Sequence, residues 1–516
     1  MTSRVTLFRD TYLDSVVQLS GTRAMRAVEG VDWASAAMAT QANLETLSGA
    51  GFDAGELAGA GAGDLFIAVR ADSDDVLDEA TAAGKQAMFA ERTSAGRSSG
   101  DRAEQPSRTV RDALERAPDS TVAVVSVPGD YAAMQAHQAL TAGLHVLLFS
   151  DNVPLDAEVE LKERAAQLGL LVMGPGAGTA MFGGTCLGFA NVTTPGPVAV
   201  IAAAGTGAQE AMSLLDRWGV GVSHVIGLGG RDLSREVGGR MARMALTALA
   251  ADESTEVVLL VSKPPDAEVA REVLKVAAGT RVVAALIGLE DDAIDVPTGV
   301  SLAGTLETGV VAALDALGRT APDRSAGLRE RVEQAGADLP EKRTLVRGLF
   351  SGGTLCYESL VILSRVLGEV YSNTPIDPDR GLPAPEGSHV CLDLGEEEYT
   401  KGKPHPMIDP EARIEMLREQ GEDPDVAVII LDVVLGYGAH DDPAAELAPV
   451  CAEIIAAGGP QLVTYVLGTE GDPQGFEAQR RAFTDAGCLV TETAARASLT
   501  AAAIALREPD LAESAL

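Results

Sequence analysis

VAVIAAAGTGAQEAMSLL at residues 198–215 and RTLVRGLFSGGTLCYESLVIL at residues 343–363 share one grammar. Each is an apolar run of strand length, then a turn of Gly, Ser and Thr, then a stretch with helical periodicity. Glycine lets a backbone approach an anion closely. The amides at a helix start, with the helix dipole, favour phosphate or carboxylate. Gly205, Thr206 and Gly207 in the first turn, and Ser351, Gly352, Gly353 and Thr354 in the second, are therefore candidate phosphate-binding residues. Either turn alone also reads as an ordinary strand-to-helix junction; two of them opening two similar units raise the weight of a shared anion site. Neither fits GxxxxGK[ST], and no GxGxxG follows the first strand of the preceding unit, so Walker-type and dinucleotide sites are not expected.

Working outward, the same β/α alternation continues on both sides of these turns. Apolar runs alternating with helical stretches predict parallel sheets covered on both faces. The pattern predicts an α/β chain with a small ferredoxin-like α+β domain at 1–90 and a polar linker at 91–108. Three β/α units follow, at 109–195, 196–318 and 343–506, with a charged connector at 319–342. The end of the chain, after residue 507, is expected to fray.

Composition narrows the function. The 516 residues carry 75 Asp+Glu against 40 Lys+Arg, a net charge of −35. Such a surface disfavours nucleic acid, which needs a basic stripe, and anionic membranes. An anionic substrate must be held locally, by backbone amides and a few cations. The five cysteines, Cys186, Cys356, Cys391, Cys451 and Cys488, are widely spaced and include no CxxC. That predicts a reducing cytoplasm, no disulfide framework and no metal site. No apolar run reaches membrane-spanning length, and the N-terminus has no signal core.

Several segments carry a family resemblance. VPGDY (127–131), VMGPGAGT (172–179), AAGTGAQEA (203–211) and IGLGGRD (226–232) resemble the α subunit of succinyl-CoA synthetase and its NDP-forming acyl-CoA synthetase relatives. CLDLGEEEYTKGKPHPMIDP (391–410) and LDVVLGYGAHDDP (431–443) resemble the C-terminal domain of the β subunit. The fused order, the ferredoxin-like front and KGKPHPMIDP together resemble the FdrA family over essentially the whole chain. The resemblance implies a Rossmann-like CoA-binding-type domain at 109–195 and two flavodoxin-like succinyl-CoA synthetase domains after it.

The departures from the parent fold are informative. The phosphohistidine expected after the strand at 281–287 is missing, since the segment reads GLEDDAIDVPTG. Lys263, in VSKPPD, stands where the parent fold has an acid. The ATP-grasp module has no counterpart. The FdrA resemblance instead implies a subunit of an oxamate carbamoyltransferase in allantoin catabolism, working with partner subunits in an oligomer. That enzyme interconverts oxalurate plus phosphate with oxamate plus carbamoyl phosphate. Phosphate or carbamoyl phosphate is then the ligand. The alternatives are an acyl-CoA enzyme that retains CoA, and a non-catalytic scaffold.

The candidate residues follow. His440 reads as a general acid/base or phosphate contact, or as a plain loop histidine beside Asp441 and Asp442. His405, with Lys401 and Lys403, forms a cationic island that would dock a carboxylate such as oxamate, or a solvated loop. Lys263 and Arg231 are candidate catalytic or anion-holding cations. Arg231 and Asp232 read equally well as loop structure. Glu396, Glu397 and Glu398 read as a solvated turn in preference to a cation site. Glu210 and Glu358 are expected to cap the helix starts.

Overall fold

The computed structural model describes the chain except residues 12, 14, 53–56, 58, 62, 90–106, 108, 278, 290–293, 338 and 401–403. The expected linker lies almost wholly outside the described residues. Two compact units divide the chain: residues 1–106 with 397–404, and residues 107–396 with 405–516.

In the first unit the elements run β1 (Thr2–Phe8), α1 (Ser15–Arg26), β2 (Val31–Met38), α2 (Gln41–Gly49), β3 (Leu65–Ala71) and α3 (Asp74–Phe89). The sheet order is β1-β3-β2, with β3 antiparallel to both neighbours. This is the chain path of a ferredoxin-like sandwich. Alternation along β2 sends Ala34, Ala36 and Met38 to a core with Met25, Leu77 and Met88 on α1 and α3. The sequence reading missed α2, which Thr40 caps by accepting from the Asn43 amide.

The second unit opens with α4 (Val110–Arg116), β4 (Val122–Val125), α5 (Gly129–Thr141), β5 (His145–Leu148), α6 (Leu155–Leu168) and β6 (Val172–Met173). Here β4, β5 and β6 form a small parallel sheet. Then comes a hairpin that the sequence did not reveal, β7 (Thr179–Phe182) and β8 (Thr185–Gly188). It adds to the edge of the next sheet through β10.

That sheet contains β9 (Val198–Ala203), β10 (Val222–Gly227), β11 (Val257–Ser262), β12 (Val282–Leu286) and β13 (Val300–Ala303). Its helices are α7 (Gly205–Arg217), α8 (Arg240–Ala250), α9 (Ala267–Val276) and α10 (Leu306–Ala316). The five parallel strands lie in the order β10-β9-β11-β12-β13, which is 2-1-3-4-5 along the chain, the flavodoxin order. The chain reverses direction between β9 and β11, which is where such sheets bind ligands.

After α11 (Leu328–Ala337) the last sheet is built from β14 (Leu345–Phe350), β15 (Val370–Ser372), β16 (His389–Asp393), β17 (Val426–Val434), β18 (Gln461–Leu467) and β19 (Leu489–Thr491). Its helices are α12 (Gly353–Leu367), α14 (Glu411–Glu422), α15 (Pro443–Ala456), α16 (Phe476–Asp485) and α17 (Ala494–Leu506), while the short α13 (Glu397–Thr400) falls in the first unit. All six strands are parallel, in the order β15-β16-β14-β17-β18-β19.

One hydrophobic core joins the two larger sheets, with Leu214 of α7, Val310 of α10, Leu360 of α12 and Ala501 of α17 all inside it. The connector at 319–342 carries α11, whose Leu328, Val332 and Ala335 are buried in that core. The tail does not fray, because Ala512 is buried and Arg496 donates to the Ala512 and Ser514 carbonyls at 3.2 and 2.8 Å.

Candidate functional site

The two glycine-rich turns meet. Both β9 and β14 run through the core and emerge at their carboxyl ends as α7 and α12. The Thr354 amide donates to Thr206 Oγ1 at 3.2 Å, across the boundary between the two sheets. A Cβ built on Gly207 would stand 2.8 Å from Thr354 Cγ2, and one on Gly352 2.8 Å from Thr206 Cγ2. Close approach is what demands glycine here. Neither helix has a side-chain N-cap, whereas Asp266, Thr305, Asp442 and Thr493 cap α9, α10, α15 and α17. An uncapped helix start leaves amides for a ligand.

The second turn is already filled. Asp432 of β17 accepts the Ser351 and Gly352 amides at 2.7 and 2.8 Å and the Ser351 hydroxyl at 3.1 Å. Arg413 sits behind it and donates to Asp432 Oδ1 at 3.1 Å and to the Leu349 carbonyl at 3.0 Å. The expectation that Ser351 and Gly352 present free donors therefore fails: a built-in carboxylate has taken them.

What stays open is the α7 start. Its first helical bond is from the Ala208 amide to the Ala204 carbonyl, so the amides of Gly205, Thr206 and Gly207 precede the ladder. Lys263, just past β11, and Asp393, at the end of β16, flank the start of α12 at Gly353, which the Thr354–Thr206 contact joins to the α7 start. A Cβ on Gly353 would overlap the Asp393 carboxylate and stand 3.3 Å from Lys263 Nζ. Lys263 is half-buried and makes no hydrogen bond or ion pair with a described residue. A cation left unpaired beside helix starts of positive polarity is costly unless an anion completes it.

Burial pushes Asp393 up to about 6, against the pull of Lys263. The sequence reading did not single out Asp393. The signal was available in its position at a strand end, in LDLG, beside the quoted charge run.

His405 joins this cluster. Its Nδ1 accepts the Met407 amide at 3.2 Å, which leaves the ring proton on Nε2. A Cβ on Gly395 would stand 2.7 Å from His405 Nε2, 3.1 Å from Asp393 Oδ1 and 3.2 Å from the Ser351 carbonyl. Burial lowers the His405 pKa, which favours the neutral ring.

The other candidates go elsewhere. Arg231 donates to Glu158 at 2.8 Å and to the Val153 carbonyl at 2.8 Å. Glu158 and Asp232 in turn hold the buried Lys162 at 2.8 and 2.9 Å. Arg231 thus ties α6 to the loop after β10 and is corrected from an anion-holding to a structural cation. His440 accepts the Asp442 amide at 3.1 Å and faces Glu446 at 3.4 Å, so its ring serves the loop that starts α15. Lys401 and Lys403 lie outside the described residues. Among the described residues no cluster of His, Cys, Asp or Glu is arranged to hold a metal ion.

The expectation that Glu210 and Glu358 cap their own helices fails, since neither helix has a side-chain N-cap. Each is the sixth residue of its helix, and each reaches across to the other sheet's unit. Glu358 on α12 accepts the Leu306 amide that starts α10, at 2.6 Å. Glu210 on α7 binds the Ala494 amide that starts α17, and accepts the Tyr465 hydroxyl. Glu358 Oε2 is buried with no partner among the described residues. Burial, with Glu307 nearby, lifts Glu358 to about 8 and Glu210 to about 7 from the ordinary 4.5.

The sign follows. The folded state holds these protons more tightly than the unfolded one, so stability is full below pH 4.5 and falls as pH rises toward 8. We expect Glu358→Gln to flatten the pH dependence of the urea midpoint between pH 5 and 8 and to raise the midpoint at pH 8. An unchanged slope would refute this assignment.

Comparisons with known proteins agree with this architecture. Residues 1–106 match the family described as AllF, heavy metal-associated domain, and residues 349–504 match CoA-ligase. YahF of Escherichia coli K12 is 37% identical over 516 residues, spanning 97% of this chain and 98% of YahF. A succinate–CoA ligase [ADP-forming] subunit alpha 2 from Archaeoglobus fulgidus is 29% identical over 173 residues, 32% of this chain and 58% of the ligase subunit. Among solved structures, an ATP citrate lyase of Methanosaeta concilii with (3S)-citryl-CoA matches with a TM-score of 0.32. It is 19% identical over 42% of this chain and 38% of that one. The first family's description includes a heavy metal, but residues 1–106 hold neither a Cys nor a His. The thiolate and imidazole donors such an ion prefers are missing there, and Met25, Met38 and Met88 are packed in the core. No helix among the described residues is long and apolar enough to cross a membrane.

Proposed function

The chain belongs to the FdrA-like family that includes YahF of Escherichia coli, and from that membership we propose that it transfers a carbamoyl group to phosphate as one subunit of an oxamate carbamoyltransferase. The observation that carries this reading is Lys263, without an ion pair to a described residue, beside Asp393 at Gly353, where the start of α12 meets the start of α7.

Phosphate rests on the amides of Gly205, Thr206 and Gly207, with Lys263 neutralising it. A phosphate oxygen attacks the carbamoyl carbon of oxalurate. The new bond is C–O, and the bond that breaks is the C–N bond to the oxamate half. The phosphate hydroxyl gives its proton to the Asp393 carboxylate, which passes it to the departing nitrogen. The products are carbamoyl phosphate and oxamate, and Asp393 ends as it began. A carboxyl held near 6 is poised for both halves of that transfer at neutral pH. No phosphohistidine is needed.

The test is phosphorus NMR of the full chain with oxalurate and phosphate, alone and with the proteins encoded beside its gene. Carbamoyl phosphate is expected, with a rate that rises through pH 6 as Asp393 ionises. Asp393→Asn should lose that rise and about 100-fold in kcat. No product with any partner would overturn the proposal.

A second reading, an acyl-CoA enzyme, is favoured by the CoA-ligase match over residues 349–504. The chain offers a fitting surface: Val127, Tyr131 and Leu155 stay exposed at the carboxyl end of the small sheet, where an adenine ring or pantetheine arm would lie. CoA would supply the thiol that accepts the acyl group. Tight CoA binding by calorimetry, with CoA-dependent turnover, would select this reading.

A further inference from the structure

Three neighbouring parallel strands, β9, β11 and β12, end side by side. Their carboxyl ends carry, in order, the open helix start, Lys263 and Gly288. The Ile287 amide donates to the Ser262 carbonyl at 2.9 Å, so Gly288 stands one strand beyond Lys263. Tyr357, one turn into α12, crosses the boundary between the sheets to lie over this glycine. A Cβ on Gly288 would be 3.3 Å from the Tyr357 hydroxyl, 3.5 Å from its ring and 3.2 Å from Val361.

Tyr357 is 9% exposed. Its hydroxyl makes no hydrogen bond to any described residue and is not a fully enclosed polar atom, so it keeps contact with solvent. The ring packs over the strand end, and the polar tip stays available to a ligand.

We propose that the Tyr357 hydroxyl donates to the carbonyl oxygen of the acyl or carbamoyl half of the substrate, while the phosphate half rests on Lys263 and the α7 start. This rests on the phosphate site proposed above and adds the element that reads the organic half. The division suits the chemistry. Lys263 supplies charge for a dianion, whereas a phenol supplies one directional donor for a neutral carbonyl. Burial pushes the phenol up to about 12, so it remains a donor at neutral pH. Gly288 keeps the strand end low enough for the ring to lie across it.

The experiment is calorimetric titration of the full chain with inorganic phosphate and with acetyl phosphate, a simple acyl phosphate. The parent protein is expected to bind acetyl phosphate about tenfold more tightly than phosphate, the effect of one added hydrogen bond. Tyr357→Phe keeps the ring packing and should bring the two affinities together, with phosphate affinity and thermal midpoint unchanged. Equal affinities in the parent, or a preference that survives Tyr357→Phe, would overturn the assignment. Failure of the parent to bind phosphate at all would instead overturn the underlying phosphate site, a separate result.

Discussion

Lys263→Met is expected to lower the proposed carbamoyl transfer by about 100- to 1000-fold, the usual consequence of removing one preoriented electrostatic group from a transition state, and to leave the fold as stable as before or more so. The two halves of this expectation come from one observation. Lys263 is half-buried with no hydrogen bond or ion pair to a described residue, beside the start of α12 at Gly353. In the free protein its charge is opposed by the positive end of that helix and eased by the Asp393 carboxyl. Methionine fills a similar volume and removes the opposed charge. With phosphate bound the balance reverses, because the ammonium then offsets the dianion. Phosphate affinity by calorimetry should fall with the rate, while the urea midpoint should hold or rise. A midpoint that drops with the rate would mean that Lys263 is structural.

Asp432→Ala has the opposite profile and the largest expected effect on stability. It strands the Arg413 guanidinium in the core and leaves the Ser351 and Gly352 amides without their acceptor. Breaking a buried pair by removing one partner costs about 3–5 kcal/mol. The turn that starts α12 also loses its anchor, so Gly353 and Thr354 no longer hold their places against Lys263 and Thr206. Both the urea midpoint and the activity should fall. Asp432→Asn keeps one acceptor oxygen and should fall less in both. If Asp432→Ala unfolded at the parent's midpoint, the carboxylate would not be what fills this turn.

These two acidic residues show why the site was only partly legible beforehand. Asp432 and Asp393 both lie at or near the ends of apolar strands, and in the linear sequence nothing separates their roles. In the folded chain Asp432 meets a turn 81 residues earlier and an arginine 19 residues earlier, and becomes part of the core. Asp393, buried beside Lys263 and His405, keeps a titratable proton near neutrality. Arg231 went the other way: a cation in a glycine-rich loop looked available until Glu158, 73 residues away, took it up. Each difference is made by a contact of long sequence separation, which periodicity and spacing do not encode.

The sequence by itself determined the β/α alternation, the strand cores and the two glycine turns. These depend on local matters: apolar period, backbone freedom and the start of a helix. It also determined that any anionic substrate must be held by a few local groups. Only the tertiary structure decided that the two turns meet, that Asp432 fills one of them, and that Lys263 and Asp393 stand where they meet. The physical reason is that a buried charge takes its role from whichever partner the packing brings within about 3 Å, and packing joins residues that the chain keeps far apart.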